Sequence, residues 1–165
     1  MEEQIFSIEE LKALVQKIFQ NDGKFPVVSI LEGHKFILKD FSKLDDLEKS
    51  VALKMVCKGK YSENQIAYME IFEDLSDGLA LTIDSLCIGG NIGNKIFKYA
   101  DIVNVDFSGN EIKIFVDYER FKDVIEKEKY DKVGWYNEGG WHYSFYVISD
   151  KSGEIKKFLD VVKNS

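Results

Sequence analysis

Residues 87–95, CIGGNIGNK, place three glycines and two asparagines directly behind the apolar run LALTIDSLCI, a composition suited either to cradling a phosphate or to turning a corner. A P-loop requires GxxxxGK[ST], so that successive backbone N–H groups and a lysine meet the phosphates while a hydroxyl holds magnesium. Here Gly89, Gly90 and Gly93 are wrongly spaced, Asn94 stands where the lysine belongs, and no Ser or Thr follows Lys95. The dinucleotide pattern GxGxxG fails as well, because NKIFKYAD offers barely two helical turns before the next strand. The stretch therefore reads as a connector, with Asn91 and Asn94 suited to left-handed conformations, and is expected to bind no nucleotide.

Nucleophile and metal chemistry fare no better. Cys57 and Cys87 lack CxxC spacing and read as free buried thiols of a reducing cytoplasm. His34 falls in the turn-like EGHK. His142 lies between Trp141 and Tyr143 on a strand, where an apolar wall can shift its pKa, but neither histidine has a partner at ligand spacing. The acids of EDLSDG lack the alternation of a calcium loop and read as a solvated turn. No cofactor or metal is expected. WYNEGGWHYSFY is apolar on both faces, which fits a central strand. The competing reading exposes Trp135, Tyr136 and Trp141 at a hairpin tip, as anchors for a protein partner or a planar ligand.

Charge is the most informative global feature. The chain carries −7, and residues 61–119 hold eleven acids against three lysines, a net of −8, whereas the remainder sums to +1. The single arginine is Arg120. Nucleic-acid binding needs a basic stripe against the phosphates, so direct contact with nucleic acid is disfavoured, as is an anionic membrane surface. No uncharged apolar run approaches the roughly 20 residues of a membrane span, and the acidic N-terminus does not read as a secretory signal.

These residues must be positioned by an ordinary hydrophobic framework. The 165 residues, 45% hydrophobic with no repeat or linker, fit a single globular domain spanning 1–165. SIEELKALVQKIF combines a Ser7/Glu10 capping box with a helical apolar stripe. A second helix is expected after Ser42 with Leu44, Leu47, Val51 and Met55 on one face, another over SGEIKKFLDVVK, and a short one over RFKDVIEKEK. Elsewhere the period is two. With Gly109 and Asn110 as the turn, Phe107 pairs with Ile112, Val105 with Ile114, Val103 with Val116, and Asp106 with Lys113. QIAYMEIF and LALTIDSLCI form a second hairpin across EDLSDG, WYNEGGWHYSFY a third near Glu138–Gly140, and FPVVSI and KFILKDF add edge strands. The expectation is an α+β domain. Its antiparallel or mixed sheet of about four to six strands is covered on one face and packed with about three or four helices.

A small acidic protein without catalytic signatures suggests a non-enzymatic binding module. It would be an inhibitor or immunity-type partner of a basic protein such as a nuclease or toxin, in a bacterial or phage defence or counter-defence role. Glu73, Asp74, Asp77, Asp84, Asp106 and Asp117 are the expected contact acids, with Trp135, Tyr136 and Trp141 as aromatic anchors. The alternative is a small enzyme or ligand-binding domain whose pocket lies by residues 87–95 or the 135–146 hairpin.

Overall fold

The computed structural model describes residues 6–19, 27–31, 34–90, 95–108, 111–117, 119–120, 134–137, 140–146 and 151–163. Strands β1 (Val27–Leu31), β2 (His34–Asp40), β3 (Ile66–Phe72), β4 (Asp77–Thr82), β5 (Ser85–Gly90) and β6 (Lys95–Lys98) form a six-stranded sheet in chain order. Strands β7 (Ile102–Ser108), β8 (Glu111–Val116), β9 (Gly134–Asn137) and β10 (Gly140–Tyr146) form a second sheet in the order β7-β8-β10-β9. Every described pairing is antiparallel. The α+β class and the antiparallel pairing are as expected, but the strands divide into two sheets.

The period of two assigns the two faces of the larger sheet to different cores. Met69, Ile71, Ala80 and Cys87 face α2 (Asp46–Cys57), which answers with Ala52, Val56 and Cys57. Tyr68, Leu79, Leu81, Leu86, Ile88 and Phe97 point the other way. There they share one core with α1 (Ile8–Phe19), α3 (Ser152–Lys163) and the inner face of the smaller sheet, Val105, Ile112, Ile114, Val116 and Tyr143. The Phe97 and Tyr143 rings, 5.3 Å apart, join the two sheets. The larger sheet is thus covered on both faces. On the smaller sheet, Asn104 and Asp106 of β7 face away from that core and are exposed.

Helix α1 begins as its capping box predicts, with the Glu10 amide donating to Ser7 Oγ and the Ser7 amide to Glu10 Oε1, both at 3.1 Å. Helix α2 differs from expectation. Its N-cap is Asp45, whose Oδ1 accepts from the Glu48 amide (2.8 Å), so the cap lies three residues beyond Ser42 and a 3-10 turn occupies Phe41–Lys43. The face that docks is the one carrying small residues, which let the helix approach the sheet closely. Leu47 and Val51, expected inside, are 75% and 37% exposed. Of RFKDVIEKEK only Arg120 is described, as part of a helical start at Glu119–Arg120.

Hairpin β7–β8 keeps the expected register at Phe107↔Ile112, Asp106↔Lys113 and Val105↔Ile114, and its tip, Gly109–Asn110, lies outside the described residues. Beyond Asn104 a bulge shifts the pairing, so Ile102 rather than Val103 opposes Val116. Val103 turns outward, 59% exposed, and its carbonyl accepts from Lys163 Nζ at 2.7 Å, which ties the end of α3 to the bulge.

The run LALTIDSLCI is two strands rather than one. Ile83 and Asp84 turn the chain between β4 and β5, and Thr82 Oγ1 holds the corner by accepting from the Ser85 amide (2.9 Å) and donating to the Ser85 carbonyl (3.0 Å). Gly89 and Gly90, expected in a connector, are ladder residues opposite Gly78 and Asp77, and Gly89 has a φ of 139° that side chains rarely adopt. Asn91 to Asn94 lie outside the described residues, and Lys95–Lys98 form β6, so no helix follows the glycines as a dinucleotide fold requires.

Candidate functional site

The β3–β4 connection brings Glu73, Asp74 and Asp77 together and holds them in place. The Glu73 amide donates to the Ile37 carbonyl (2.7 Å) and the Leu75 amide to the Phe72 carbonyl (2.8 Å). Asp74 Oδ1 accepts from the Ser76 amide (3.0 Å) and hydroxyl (2.6 Å), the local turn that short acids favour. Leu75 has a φ of 62°, in the left-handed region that leucine rarely occupies. Its side chain packs against the α2 core, so burial anchors the strained residue and leaves Glu73 and Asp74, just before it, exposed.

The remaining acids lie elsewhere. Asp84 is at the opposite end of β4, about 20 Å away along a six-residue strand. Asp106 is on the outer face of β7, and Asp117 follows β8. Glu70, one of the eleven acids of 61–119, is buried at 1% exposure and contributes nothing to a surface. The six expected contact acids therefore form one cluster of three and three separate positions.

Asp84 belongs to a hydrogen-bonded corner. Its Oδ1 accepts from the Tyr61 hydroxyl (2.6 Å) and from Ser85 Oγ (2.8 Å), while the Tyr99 hydroxyl donates to the Thr82 carbonyl (2.6 Å). Burial first, then the bond to Asp84, raises the Tyr61 phenol to about 12, and burial pushes fully enclosed Tyr99 well above its ordinary 10. The unfolded chain ionises its phenols near 10, whereas the folded chain keeps the Tyr61 proton to about 12. The stabilisation that Tyr61 contributes is thus intact below pH 10 and lost as pH rises from about 10 to about 12. The urea midpoint is expected to fall over that window and to fall less in Tyr61→Phe. An identical decline in both proteins would remove Tyr61 from the account.

Cys57 and Cys87 are free and buried, and their mutual hydrogen bond, followed by burial, pushes the Cys87 thiol upward. A suppressed thiolate is a poor nucleophile. His34 is the first residue of β2, opposite Leu31, rather than a turn residue. His142 pairs with Phe115 and Trp135, and Trp141 with Tyr136, in the ladders on either side of β10, an interior strand as expected. The placement of the Trp135, Tyr136, Trp141 and His142 side chains lies outside what is described. Among the described residues no group of three or more His, Cys, Asp or Glu is placed to hold a metal ion. No described helix is long and apolar enough to cross a membrane.

Sequence reasoning passed over a cleft of about 470 Å³ between α1, the β2–β3 end of the larger sheet and the start of α3, lined by residues that include Phe19, Asp40, Tyr68 and Lys151. It is remote in sequence from both 87–95 and 135–146. Lys151, 5% exposed, and Glu70 are buried charges, and Glu70 Oε2 accepts from the Tyr68 hydroxyl at 3.0 Å.

The fold and these sites define an antiparallel α+β protein with a hydrogen-bonded acidic turn and a cleft beside α1. No protein-family model, curated protein or solved structure matches the chain.

Proposed function

We propose that the protein is a non-enzymatic binding module, of the inhibitor or immunity type, that docks a basic protein such as a nuclease or toxin against its β3–β4 turn. The observation that carries this reading is the strained, hydrogen-bonded turn that presents Glu73 and Asp74 to solvent. Backbone strain held by the surrounding packing accumulates where geometry serves a purpose, and preorganised charge binds without an ordering cost. The sequence has no lysine or arginine from Tyr61 to Asn94, so the turn and the two strands it joins carry no positive side chain of their own. An acidic surface of this kind occupies the site that a polyanion would use on the partner and steers its approach. Cys57 and Cys87, free and buried, suit a reducing cytoplasm.

Retention on the immobilised protein from extracts of its native source tests this. A stoichiometric basic protein, released by moderate salt, is the expected result. Retention of acidic proteins alone, or a complex indifferent to salt, contradicts it.

A further inference from the structure

We propose that the outer side of α1 and α3 is a self-association surface, on which a second copy of this chain lays its own α1 antiparallel to the first, across a two-fold axis at Ala13 and Leu14. The inference is independent of the acidic turn and stands on different residues. Between α1 and α3 a groove of about 360 Å³ opens outside the shared core, lined by Phe6, Glu10, Ala13, Leu14, Lys17 and Val161. Phe6 and Leu14 pack against that core yet stay only half-buried, and Val161 is 40% exposed, so the groove presents hydrocarbon to solvent.

The charges decide what covers it. Glu10, Ala13, Leu14 and Lys17 fall at i, i+3, i+4 and i+7, a single stripe along α1 with an acid at one end and a lysine at the other. A partner of one sign would meet one end favourably and the other unfavourably. The stripe is instead its own complement when reversed. Two α1 helices laid antiparallel about its midpoint bring Glu10 opposite Lys17 of the second copy and Lys17 opposite Glu10 of the second copy, with Ala13 against Leu14 at the axis. Parallel helices in register would set Glu10 against Glu10 and Lys17 against Lys17, so the charges select the antiparallel, isologous arrangement.

The local geometry suits this contact. Within one copy Glu10 and Lys17 are about 10 Å apart along the helix axis, too far to pair with each other. Glu10 Oε1 accepts from the Ser7 amide at 3.1 Å, which holds the carboxylate over the first turn before any partner arrives. Ala13 is exposed and small, and so permits the close axial approach that helix packing needs. With Val161 as the far wall of the groove, α1 and α3 of both copies pack as four helices.

Sedimentation equilibrium of the whole protein from about 1 to 500 µM tests the proposal. A groove of this size supports a modest interface, and the expected result is a monomer–dimer equilibrium with a Kd of about 10–100 µM. Lys17→Glu sets like charges opposite each other at both symmetric contacts while leaving the Ser7/Glu10 cap intact, and should weaken the dimer about tenfold or more. Glu10→Lys should do the same. An equimolar mixture of the two variants restores both pairs in a heterodimer and should recover association close to that of wild type. Ala13→Arg, bulky and charged at the axis, should give a monomer with a urea midpoint near that of wild type, because position 13 is exposed. A wild-type protein still monomeric at about 500 µM, a dimer indifferent to Lys17→Glu and Ala13→Arg, or a mixture no more associated than its two components would each overturn it.

Discussion

Phe158→Ala is expected to destabilise the protein by about 3–5 kcal/mol. The side chain is fully buried in the shared core, and its ring meets Tyr99 edge-on at 5.9 Å. Ile155, Phe158, Leu159 and Val162 are the face by which α3 closes that core, and Phe158 is its largest member. Truncation removes apolar contact and leaves a cavity that the surrounding strands cannot close, because they are held by ladders on both sides. A small protein has only about 5–15 kcal/mol in total, so the urea midpoint should drop steeply. Val161→Ala, on the same helix but 40% exposed, should change stability by no more than about 0.5 kcal/mol. Equal effects from the two would mean that α3 does not dock as described.

Gly78→Ala is the second large effect. A Cβ built there lies 2.5 Å from the backbone oxygen of Glu70, 3.1 Å from Ile71 Cα and 3.1 Å from Val56 Cγ2. Two of these three neighbours are backbone atoms of β3, so no side-chain rotation relieves the clash and the hairpin must open. The expected loss is about 1–3 kcal/mol, read from urea unfolding followed by circular dichroism. Because Gly78 adjoins Asp77, the substitution should also disturb the acidic turn. Gly153→Ala, where a Cβ meets nothing within 4 Å, is the control and should be tolerated. A Gly78→Ala protein as stable as wild type would place β3 and β4 wrongly.

Where local chemistry and global packing agree, the sequence was a sufficient guide. The Ser7/Glu10 box, the α3 stripe and the β7–β8 register each had one dominant physical cause, and each appears as read, up to the bulge at Val103. The errors arose where tertiary contact overrode a local pattern. The apolar stripe of α2 promised Leu47 and Val51 to the core, but docking closeness favoured Ala52 and Cys57. The corner at Ile83–Asp84 was hidden inside an apolar run, its only signal being Thr82 and Ser85, whose hydroxyls hold the turn. Leu75 shows no sign of its left-handed backbone, since its side chain is set by the α2 core beneath it.

The candidate sites were legible to different degrees. The charge asymmetry pointed to Glu73, Asp74 and Asp77 because they share one turn. It did not separate them from Asp84, which a folded hairpin carries to its far end. The cleft had no sequence signal at all. Its lining comes from positions 9–19, 40–42, 67–68 and 151, which only the fold brings together. Glu70 adds to the net charge of residues 61–119 yet is buried, because burial of one carboxylate on an otherwise apolar strand has no signature in composition.

The most direct test of the acidic turn is the association rate of the co-purified basic partner with wild type and with a Glu73→Lys, Asp74→Asn double variant, at low and at moderate salt. Asparagine at 74 keeps the oxygen that accepts from Ser76, so the turn is preserved while its net charge is neutralised. The account predicts association slowed by about tenfold at low salt, a flatter salt dependence, and unchanged urea stability. Equal rates and equal salt slopes for the two proteins would contradict it.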